Sequence, residues 1–566
     1  MAKKWFLLIL LLVSIIQAHG ILPSFPAPDP ETFSPLLPDP ETSISLIDLA
    51  CSKTINPEAC FETIQTECIE CSPIAILSST ARLTRNEVKK AMEFLSEFRA
   101  QSVDRREVIA TKDCMELLDF TSEELSWSLS IMNNPNFSEE TMLHRQGDVR
   151  AWLSAALGNQ DTCIEGFEGT KGHVRDYIQG SLQQVSQLVS NMLAMVQRIN
   201  DFSVVIPLNN ATMEVSNESH GRLEEGNGEF PMWMSSEEQK GIFRKGAGGV
   251  RANVVVASDG SGNFRSITEA IRAAPDYRKQ RYVIHVRAGV YRENVEVKKK
   301  KTNIMLVGDG KDVTVISGSR SFLQGWTTFH TATFAVSGRG FIARDITFEN
   351  TAGPSMHQAV ALRVDSDQSA FYHCAIKGYQ DTLYAHSLRQ FYRECDIYGT
   401  IDFIFGNGAA FFQNCRILAR KPLYNQKISI TAHGRKDPHQ STGFSIQNCI
   451  VEAASDLAPI VSSVPAYLGR PWKPYARTIY MESYLGSLIQ PEGWLAWAGN
   501  FALNTLYYGE YRNYGPGAKL DGRVRWPGYH VLHGPTEANA FTVEHFIDGR
   551  SWLPSTGIAF TAGLTK

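Results

Sequence analysis

Two aspartates stand in similar glycine-rich surroundings, one short interval apart. Asp381 ends the run Gly-Tyr-Gln-Asp, and Asp402 ends the run Gly-Thr-Ile-Asp, 21 residues later. When two carboxyl groups lie close together, one tends to keep its proton while the other stays charged. Such a pair supplies an acid and an anionic nucleophile or base at the same pH. A single aspartate in such a run is more often a turn residue that bonds its own backbone, so the prediction depends on the pairing.

Three further residues offer groups that suit attack on a carbonyl carbon. Gln380 directly precedes Asp381, and Gln358 stands 22 residues before Gln380. A side-chain amide can donate a hydrogen bond to a developing oxyanion, which favours ester hydrolysis. Arg470, in the run Leu-Gly-Arg-Pro-Trp, can hold a charged carboxylate in place.

A loose repeat around four cysteines indicates the elements that would bring the aspartates together. Each cysteine follows an apolar residue by three positions and precedes Ile or Val by two; the four are Cys374, Cys395, Cys415 and Cys449. Repeats of about 20 residues, each with short strand-like runs, predict a solenoid. We interpret residues 251–566 as an all-β domain, a parallel β-helix. Because adjacent strands lie about 4.8 Å apart, Asp381 and Asp402 should be neighbours on successive coils.

The N-terminal part has a different character. Residues 1–20 have a basic start and a short apolar run, which is typical of a secretory signal peptide rather than a stable membrane anchor. Residues 43–200 contain long proline-free stretches with apolar residues at steps of three and four, which predicts an all-α helical bundle. Residues 201–250 are acidic and glycine-rich, and we interpret them as a linker with a candidate processing site.

The two parts also differ in charge. Residues 246–566 hold 35 Lys and Arg against 25 Asp and Glu, whereas residues 1–245 hold 20 against 34. A basic C-terminal part suggests a polyanionic partner, which the acidic part could mask. Secretion argues against nucleic acid as that partner. Lys298 to Lys301 are predicted to form a solvated turn, with contact to a polyanion as the alternative. Trp472, Trp494 and Trp497 are candidate platforms for sugars, although an isolated tryptophan more often belongs to the core.

At these residues the sequence resembles the plant pectin methylesterases, or pectinesterases. The resemblance extends from about Asn253 to the C-terminus. It is carried by GVYRENV (289–295), ARDITFENTAGPSMHQAVALR (343–363), GYQDTLY (378–384), GTIDFIFG (399–406), LGRPW (468–472) and GWLAW (493–497). It implies a right-handed parallel β-helix that removes methyl esters from homogalacturonan, with no metal or organic cofactor.

The resemblance also implies roles for single residues. Asp402 resembles the nucleophile, and Asp381 resembles the acid that protonates methanol and then serves as base. Gln380, together with Gln358, resembles the oxyanion stabiliser. The matching substrate-binding positions are Thr328, Gln358, Arg470 and Trp472, and Arg470 would position Asp402.

The helical part resembles the pectin methylesterase inhibitor domain that precedes the enzyme in one group of this family. That resemblance implies a four-helix bundle with disulfides Cys51–Cys60 and Cys114–Cys163. A pair between Cys68 and Cys71 would close a very small loop. In the β-helix, two arrangements remain possible: disulfides Cys374–Cys395 and Cys415–Cys449, or a ladder of stacked, reduced cysteines.

Several expectations concern processing and location. The family's dibasic processing site is replaced by Gln239-Lys-Gly-Ile, so we expect cleavage near residues 240–246, where Arg244-Lys245 can substitute. Sequons at Asn136, Asn210 and Asn217 predict surface glycans. The protein is expected to be secreted to the cell wall. The implied partners are methyl-esterified pectin, a processing protease, and a proteinaceous inhibitor or its own pro-region.

Two other functions compete with an esterase. The first is a β-helix pectin depolymerase, because glycosidases also use paired carboxylates. The second is a non-catalytic pectin-binding or inhibitory wall protein, in which the bundle is the active part. Methanol release without chain shortening would separate these readings.

Overall fold

The described part of the chain contains a group of long helices and a large β-domain. The computed structural model describes residues 51–52, 54–55, 57–58, 60–61, 72–98, 104–134, 139–198 and 251–565. The predictions for the signal peptide, the linker with its processing site, the three sequons, and Cys68 and Cys71 lie outside the described residues. Among the described residues, no helix combines the length and apolarity that crossing a membrane would need.

Four long helices form the N-terminal bundle: α1 (Pro73–Phe98), α2 (Arg105–Met132), α3 (Glu139–Gly166) and α4 (Val174–Gln197). The predicted apolar stripe of α4 is buried; it consists of Leu182, Val185, Leu188, Val189, Met192, Leu193 and Val196. Asp104 caps α2 by accepting a hydrogen bond from the amide of Arg106, which satisfies one of the free N–H groups at a helix start. The disulfides Cys51–Cys60 and Cys114–Cys163 are both present, and the second joins α2 to α3.

The β-domain is a right-handed parallel β-helix with three sheets. Sheet A has 11 strands. They are β1 (Val254–Val256), β2 (Tyr282–Val286), β5 (Ile304–Gly308), β8 (Ile342–Arg344), β11 (Ser369–Tyr372), β14 (Arg389–Arg393), β17 (Ala409–Gln413), β20 (Gly443–Gln447), β23 (Arg477–Met481), β25 (Tyr507–Tyr511) and β26 (Tyr529–Val531).

Sheets B and C complete each coil. Sheet B consists of β3 (Gly289–Arg292), β6 (Thr314–Gly318), β9 (Thr347–Asn350), β12 (Ala375–Lys377), β15 (Asp396–Gly399), β18 (Arg416–Ala419), β21 (Ile450–Ala453) and β24 (Tyr484–Leu485). Sheet C consists of β4 (Val295–Val297), β7 (Phe334–Val336), β10 (Leu362–Val364), β13 (Leu383–Tyr384), β16 (Ile401–Gly406), β19 (Ile428–His433) and β22 (Ala466–Pro471). Over most of the domain the chain runs through A, B and C in turn, so each strand pairs with the strand one coil later.

Short helices close the domain. They are α5 (Ile267–Ala273), α6 (Pro535–Asn539), α7 (Val543–Phe546) and α8 (Gly549–Trp552). Trp552 belongs to an apolar cluster with Phe391 and Phe411 of sheet A, so the C-terminal segment covers that sheet. The amide of Thr561 donates to Oε1 of Gln413 at 2.9 Å, which ties the last residues to the same surface.

The cysteine repeat is the inner ladder of the β-helix. Phe371 pairs with Tyr392, and Tyr392 pairs with Phe412, on successive strands of sheet A. Their rings stack with centroids 4.9 and 4.8 Å apart and nearly parallel planes. All four repeat cysteines are buried and free, so the reduced ladder is the arrangement that the structure has. The repeat therefore marks residues that fill the interior of each coil.

Candidate active site

The two aspartates occupy matching positions on neighbouring coils of sheet C. Leu383 pairs with Ile404, and Asp381 and Asp402 each stand two residues before that pair. The amide of Asp381 donates to the carbonyl of Ile401 at 3.0 Å. Both aspartates have left-handed backbone, with φ of 60° and 50°. Asp tolerates this conformation better than most residues.

Asp402 is held by a two-pronged ion pair. Nε of Arg470 donates to one carboxylate oxygen of Asp402 at 2.8 Å, and Nη2 donates to the other at 2.6 Å. The guanidinium also lies over the ring of Trp497, 4.4 Å from its centroid. The register of β16 against β19 is irregular between Ile401 and Ile404, which turns the strand locally at Asp402. The carboxylate is thus fixed in both position and orientation.

Asp381 lies in the opposite electrostatic setting. Burial raises the pKa of its carboxyl group well above the ordinary value, and the nearby charge of Asp402 raises it further, while Arg470 offsets part of the effect. A carboxyl group with a raised pKa keeps its proton at a pH where an ordinary aspartate is charged. The pair therefore combines a retained proton with a carboxylate bound by a guanidinium.

A cavity of about 330 Å³ connects these groups. The predicted residues Thr328, Gln358, Gln380, Asp381, Asp402, Arg470 and Trp472 all line it. Aromatic rings form much of the remaining wall: Tyr384 stacks on Phe405 with centroids 4.2 Å apart, and Phe405 lies 6.0 Å from Trp472. The cavity thus joins amide donors, a carboxyl pair and apolar rings, a combination that suits an ester group on a sugar.

Helices α2 and α3 of the bundle complete the cavity wall. Helix α2 contributes Asp113, and α3 contributes Thr162, Glu165 and Gly166. Glu168, in the turn that follows α3, also lines the cavity. Oδ1 of Asp113 lies 2.9 Å from Nδ1 of His330, and its other oxygen accepts from the hydroxyl of Thr327. The side chains at the mouth of the β-helix cavity therefore contact the bundle.

Ion pairs join the acidic bundle to the basic β-helix around this cavity. Their nitrogen–oxygen distances are 2.6 Å for Lys473–Glu165, 2.8 Å for Lys436–Asp161, 2.6 Å for Arg389–Asp148 and 3.4 Å for Lys299–Glu124. Burial raises the pKa of Glu165 to about 7, and it does the same for Glu124, although a lysine lies beside each. The charge difference between the two parts of the sequence thus appears as direct contacts.

One sequence prediction near the site is wrong, and another holds for only part of its residues. Trp494 is not a sugar platform, because it is buried in the core and stacks on Tyr508 with centroids 4.0 Å apart. Lys298 to Lys301 are not simply a solvated turn. Lys301 is buried and donates to the carbonyl of Arg272 at 2.9 Å, and Nζ of Lys299 lies 4.2 Å from the ring centroid of Phe120 in the bundle.

Sequence reasoning missed several residues near the site. Arg420 lies over the ring of Tyr379, donates to its hydroxyl at 2.6 Å and donates to the carbonyl of Gly378 at 3.1 Å. It therefore supports the turn that carries Gln380 and Asp381. Lys436 and Lys473 were also missed, and the basic balance of the domain was the signal that could have drawn attention to them.

Comparisons with known proteins show the family of each part of the chain. The sequence model of the pectinesterase family matches residues 253–550, and that of the plant invertase/pectin methylesterase inhibitor family matches residues 45–195. The chain is 52% identical over 502 residues to "Pectinesterase/pectinesterase inhibitor PPE8B" of Prunus persica, covering 88% of this chain and 91% of the relative. It is 52% identical to "Probable pectinesterase/pectinesterase inhibitor 32" of Arabidopsis thaliana, covering 89% and 94%.

A solved structure gives the same picture for the β-domain. The pectin methylesterase from carrot is 57% identical, with a TM-score of 0.55, and the match covers 56% of this chain and 99% of the carrot chain. The chain belongs to the pectinesterase family of carboxylic ester hydrolases, and a domain of the pectin methylesterase inhibitor family precedes its β-helix.

Proposed function

We propose that Asp402 attacks the methyl ester of a galacturonate unit in homogalacturonan, and that Asp381 supplies and then recovers the proton. The observation that carries the proposal is the pairing of Asp381, whose pKa is raised, with Asp402, which Arg470 binds through both oxygens. The reaction class agrees with family membership, and the residue roles are the part that needs a test.

In the first step, a carboxylate oxygen of Asp402 forms a bond to the ester carbonyl carbon. The carbonyl oxygen becomes an oxyanion, which the side-chain amides of Gln380 and Gln358 can stabilise. As the oxyanion collapses, the bond to the methoxy group breaks and Asp381 gives that oxygen its proton. Methanol leaves, and an acyl anhydride joins the sugar carboxyl to Asp402.

In the second step, Asp381 accepts a proton from water as the water oxygen attacks the acyl carbon. The bond to Asp402 breaks, so Asp402 returns as a carboxylate and Asp381 is protonated again. The sugar carboxyl then loses its proton to solvent. One ester and one water become one carboxylate, one proton and one methanol, and both aspartates return to their starting states.

Methanol release and polymer length, followed together, test the reaction class. Highly methylated pectin is incubated with residues 246–566, and released methanol and mean chain length are measured over time. We expect methanol without shortening. Shortening without methanol would instead support a depolymerase. If neither methanol nor shorter chains appeared, a non-catalytic binding protein would be supported.

We further propose that the bundle limits access to the cavity. The support is that α2 and α3 line the cavity wall and that their acidic residues pair with lysines of the β-helix. The test compares methanol release by the uncleaved chain with release by residues 246–566 at equal concentration. We expect a lower rate from the uncleaved chain, and equal rates would contradict this role.

We also propose that the protein is secreted to the cell wall and cleaved near residues 240–246. The support is the basic and apolar N-terminal run, the dibasic Arg244-Lys245 and family membership. N-terminal sequencing of the extracellular protein is the test. A start near residue 21 would mean that the bundle stays attached.

A further inference from the structure

Two lysines of the β-helix have their carboxylate partners in the bundle. Nζ of Lys436 lies 2.8 Å from Asp161 and 3.4 Å from the hydroxyl of Ser186, and Nζ of Lys473 lies 2.6 Å from Glu165. Within the described ranges, each of these ion-pair partners belongs to α3. Arg389 differs, because it also pairs with Asp367 of its own domain at 2.8 Å. Loss of the bundle would therefore leave two ammonium groups without their carboxylates.

The two lysines lie in the segments that follow two neighbouring strands of sheet C. His433 pairs with Pro471, and the lysines follow these residues at the ends of β19 and β22. Asp161 and Glu165 are one helical turn apart on α3, so they present two carboxylates on one face. Lys436 contacts the first of these two groups and Lys473 the second, so a ligand with two carboxylates at a similar spacing could contact both lysines.

Lys473 adjoins the main cavity, and Lys436 is connected to it through Asp161. Trp472, directly before Lys473, lines the main cavity together with Asp402 and Glu165. Lys473 and Asp161 line a smaller pocket beside it, which also includes Trp472. A polymer that placed one sugar at Asp402 could therefore extend past Trp472 towards the lysines.

We infer that Lys436 and Lys473 form a subsite for the free carboxylates of demethylated homogalacturonan, and that the carboxyl groups of Asp161 and Glu165 of the bundle occupy this subsite in the uncleaved chain. The inference rests on the proposal that the cavity accepts homogalacturonan. Beyond that proposal, it states that the domain also binds the demethylated product and that the bundle competes with this product for the two lysines. A polyuronate carries one carboxylate on each sugar, so it matches two adjacent cations better than a methylated segment does.

Binding of a methyl-free oligogalacturonate tests the inference without any turnover. Residues 246–566 can be used, because the main β-helix core consists only of residues of this domain and the matched carrot chain corresponds to this domain alone. Calorimetric titration compares the domain with its double variant Lys436→Gln/Lys473→Gln. We expect Kd to rise roughly tenfold, because two charge pairs are lost. The matched control Lys279→Gln/Lys519→Gln removes two exposed lysines elsewhere and should leave Kd unchanged.

Two further titrations complete the test. The uncleaved chain should bind the oligogalacturonate more weakly than residues 246–566 do, because the bundle holds both lysines. Poly-glutamate, a flexible polyanion without sugar rings, should bind the domain more weakly and should discriminate less between the lysine variants.

An unchanged Kd in the Lys436→Gln/Lys473→Gln variant would overturn the inference. If the uncleaved chain bound the oligogalacturonate as tightly as residues 246–566 do, the bundle would not compete for the subsite. If poly-glutamate bound as tightly as the oligogalacturonate, the lysines would attract any polyanion and would not form a sugar subsite. These outcomes differ from failure of the proposed function, which would appear as absent methanol release whatever the binding results.

Discussion

At the scale of single residues, the two aspartates of the site differ in charge environment although their side chains are identical. Asp402 is bound through both oxygens by Arg470, whereas Asp381 is buried beside a negative charge. The sequence predicted the pairing from spacing alone, because the coil length is fixed by the repeat. It could not predict the left-handed backbone at both aspartates, because that conformation depends on how each turn packs on the next coil.

Asp381→Asn should remove the proton donor while keeping the shape of the side chain. We expect methanol release to fall by about 10²- to 10⁴-fold, the usual contribution of a general acid or base. In the wild type, a raised pKa means that the folded state binds the proton more tightly than the unfolded chain does. The corresponding stability is present below the ordinary pKa of aspartate and is lost as pH rises through the raised value.

The free energy of unfolding, measured across pH by denaturant titration, checks this part of the prediction. The wild type should lose stability with rising pH over that window, and Asp381→Asn should lose less. Identical pH profiles for the two proteins would show that Asp381 does not hold a proton in the folded state.

Arg470→Lys should separate charge from geometry. A lysine keeps the positive charge but cannot bind both carboxylate oxygens of Asp402 in one plane. We expect kcat/KM for methanol release to fall by about 10²-fold, because a small displacement of the nucleophile is costly. Arg292→Lys, at an exposed position of β3, is the matched control and should leave kcat/KM unchanged. Full activity in Arg470→Lys would mean that charge alone is sufficient.

At the scale of elements, the inner ladder determines the register on which the site depends. The rings of Phe371, Tyr392 and Phe412 stack on successive strands, so the 21-residue step between the aspartates follows from interior packing. Stacking residues were recognisable in the sequence because they recur at a fixed place beside each cysteine. The state of the cysteines was not recognisable, because a ladder of reduced thiols and a set of disulfides have the same spacing.

Tyr392→Ala should test the ladder independently of chemistry. Its ring is fully buried between two others, so its removal leaves a cavity and should lower the free energy of unfolding by about 3–5 kcal/mol. Tyr392→Phe keeps the ring and loses only the hydroxyl hydrogen bond to Gln390 at 2.7 Å, which should cost about 1–3 kcal/mol. Denaturant unfolding of both variants measures the difference, and equal losses would show that the stacked ring contributes little.

At the scale of the whole molecule, the acidic and basic parts meet at the cavity. Charge counts predicted that the bundle could mask a polyanion site, and the contacts of α2 and α3 with the β-helix agree with that expectation. The particular pairs could not be predicted, since Lys473 and Glu165 are 308 residues apart in the chain. No periodicity within either part encodes a contact of that kind.

Docking of the bundle should weaken as pH rises. Burial raises the pKa of Glu165 to about 7 in the docked state, beside Lys473, Asp161 and Glu168. An undocked glutamate has a lower pKa, so docking takes up a proton. The docked state is therefore favoured below the ordinary glutamate pKa, and this contribution is lost as pH rises through about 7.

The ratio of methanol release by the uncleaved chain to release by residues 246–566, measured across pH, checks this prediction. The ratio should rise as pH rises through about 7, and Glu165→Gln should reduce the rise. A ratio that falls with pH would contradict the assigned direction.

The central claim is that Asp402 is the nucleophile of an esterase in the β-helix. The most direct test is methanol release from highly methylated pectin by residues 246–566, compared with the same domain carrying Asp402→Ala and shown to be folded by circular dichroism. We expect the rate to fall by about 10⁴-fold or more, as is usual when a covalent nucleophile is removed. A folded Asp402→Ala domain that releases methanol within about tenfold of the wild-type rate would contradict this role, because a tenfold loss corresponds to only about 1.4 kcal/mol of transition-state stabilisation.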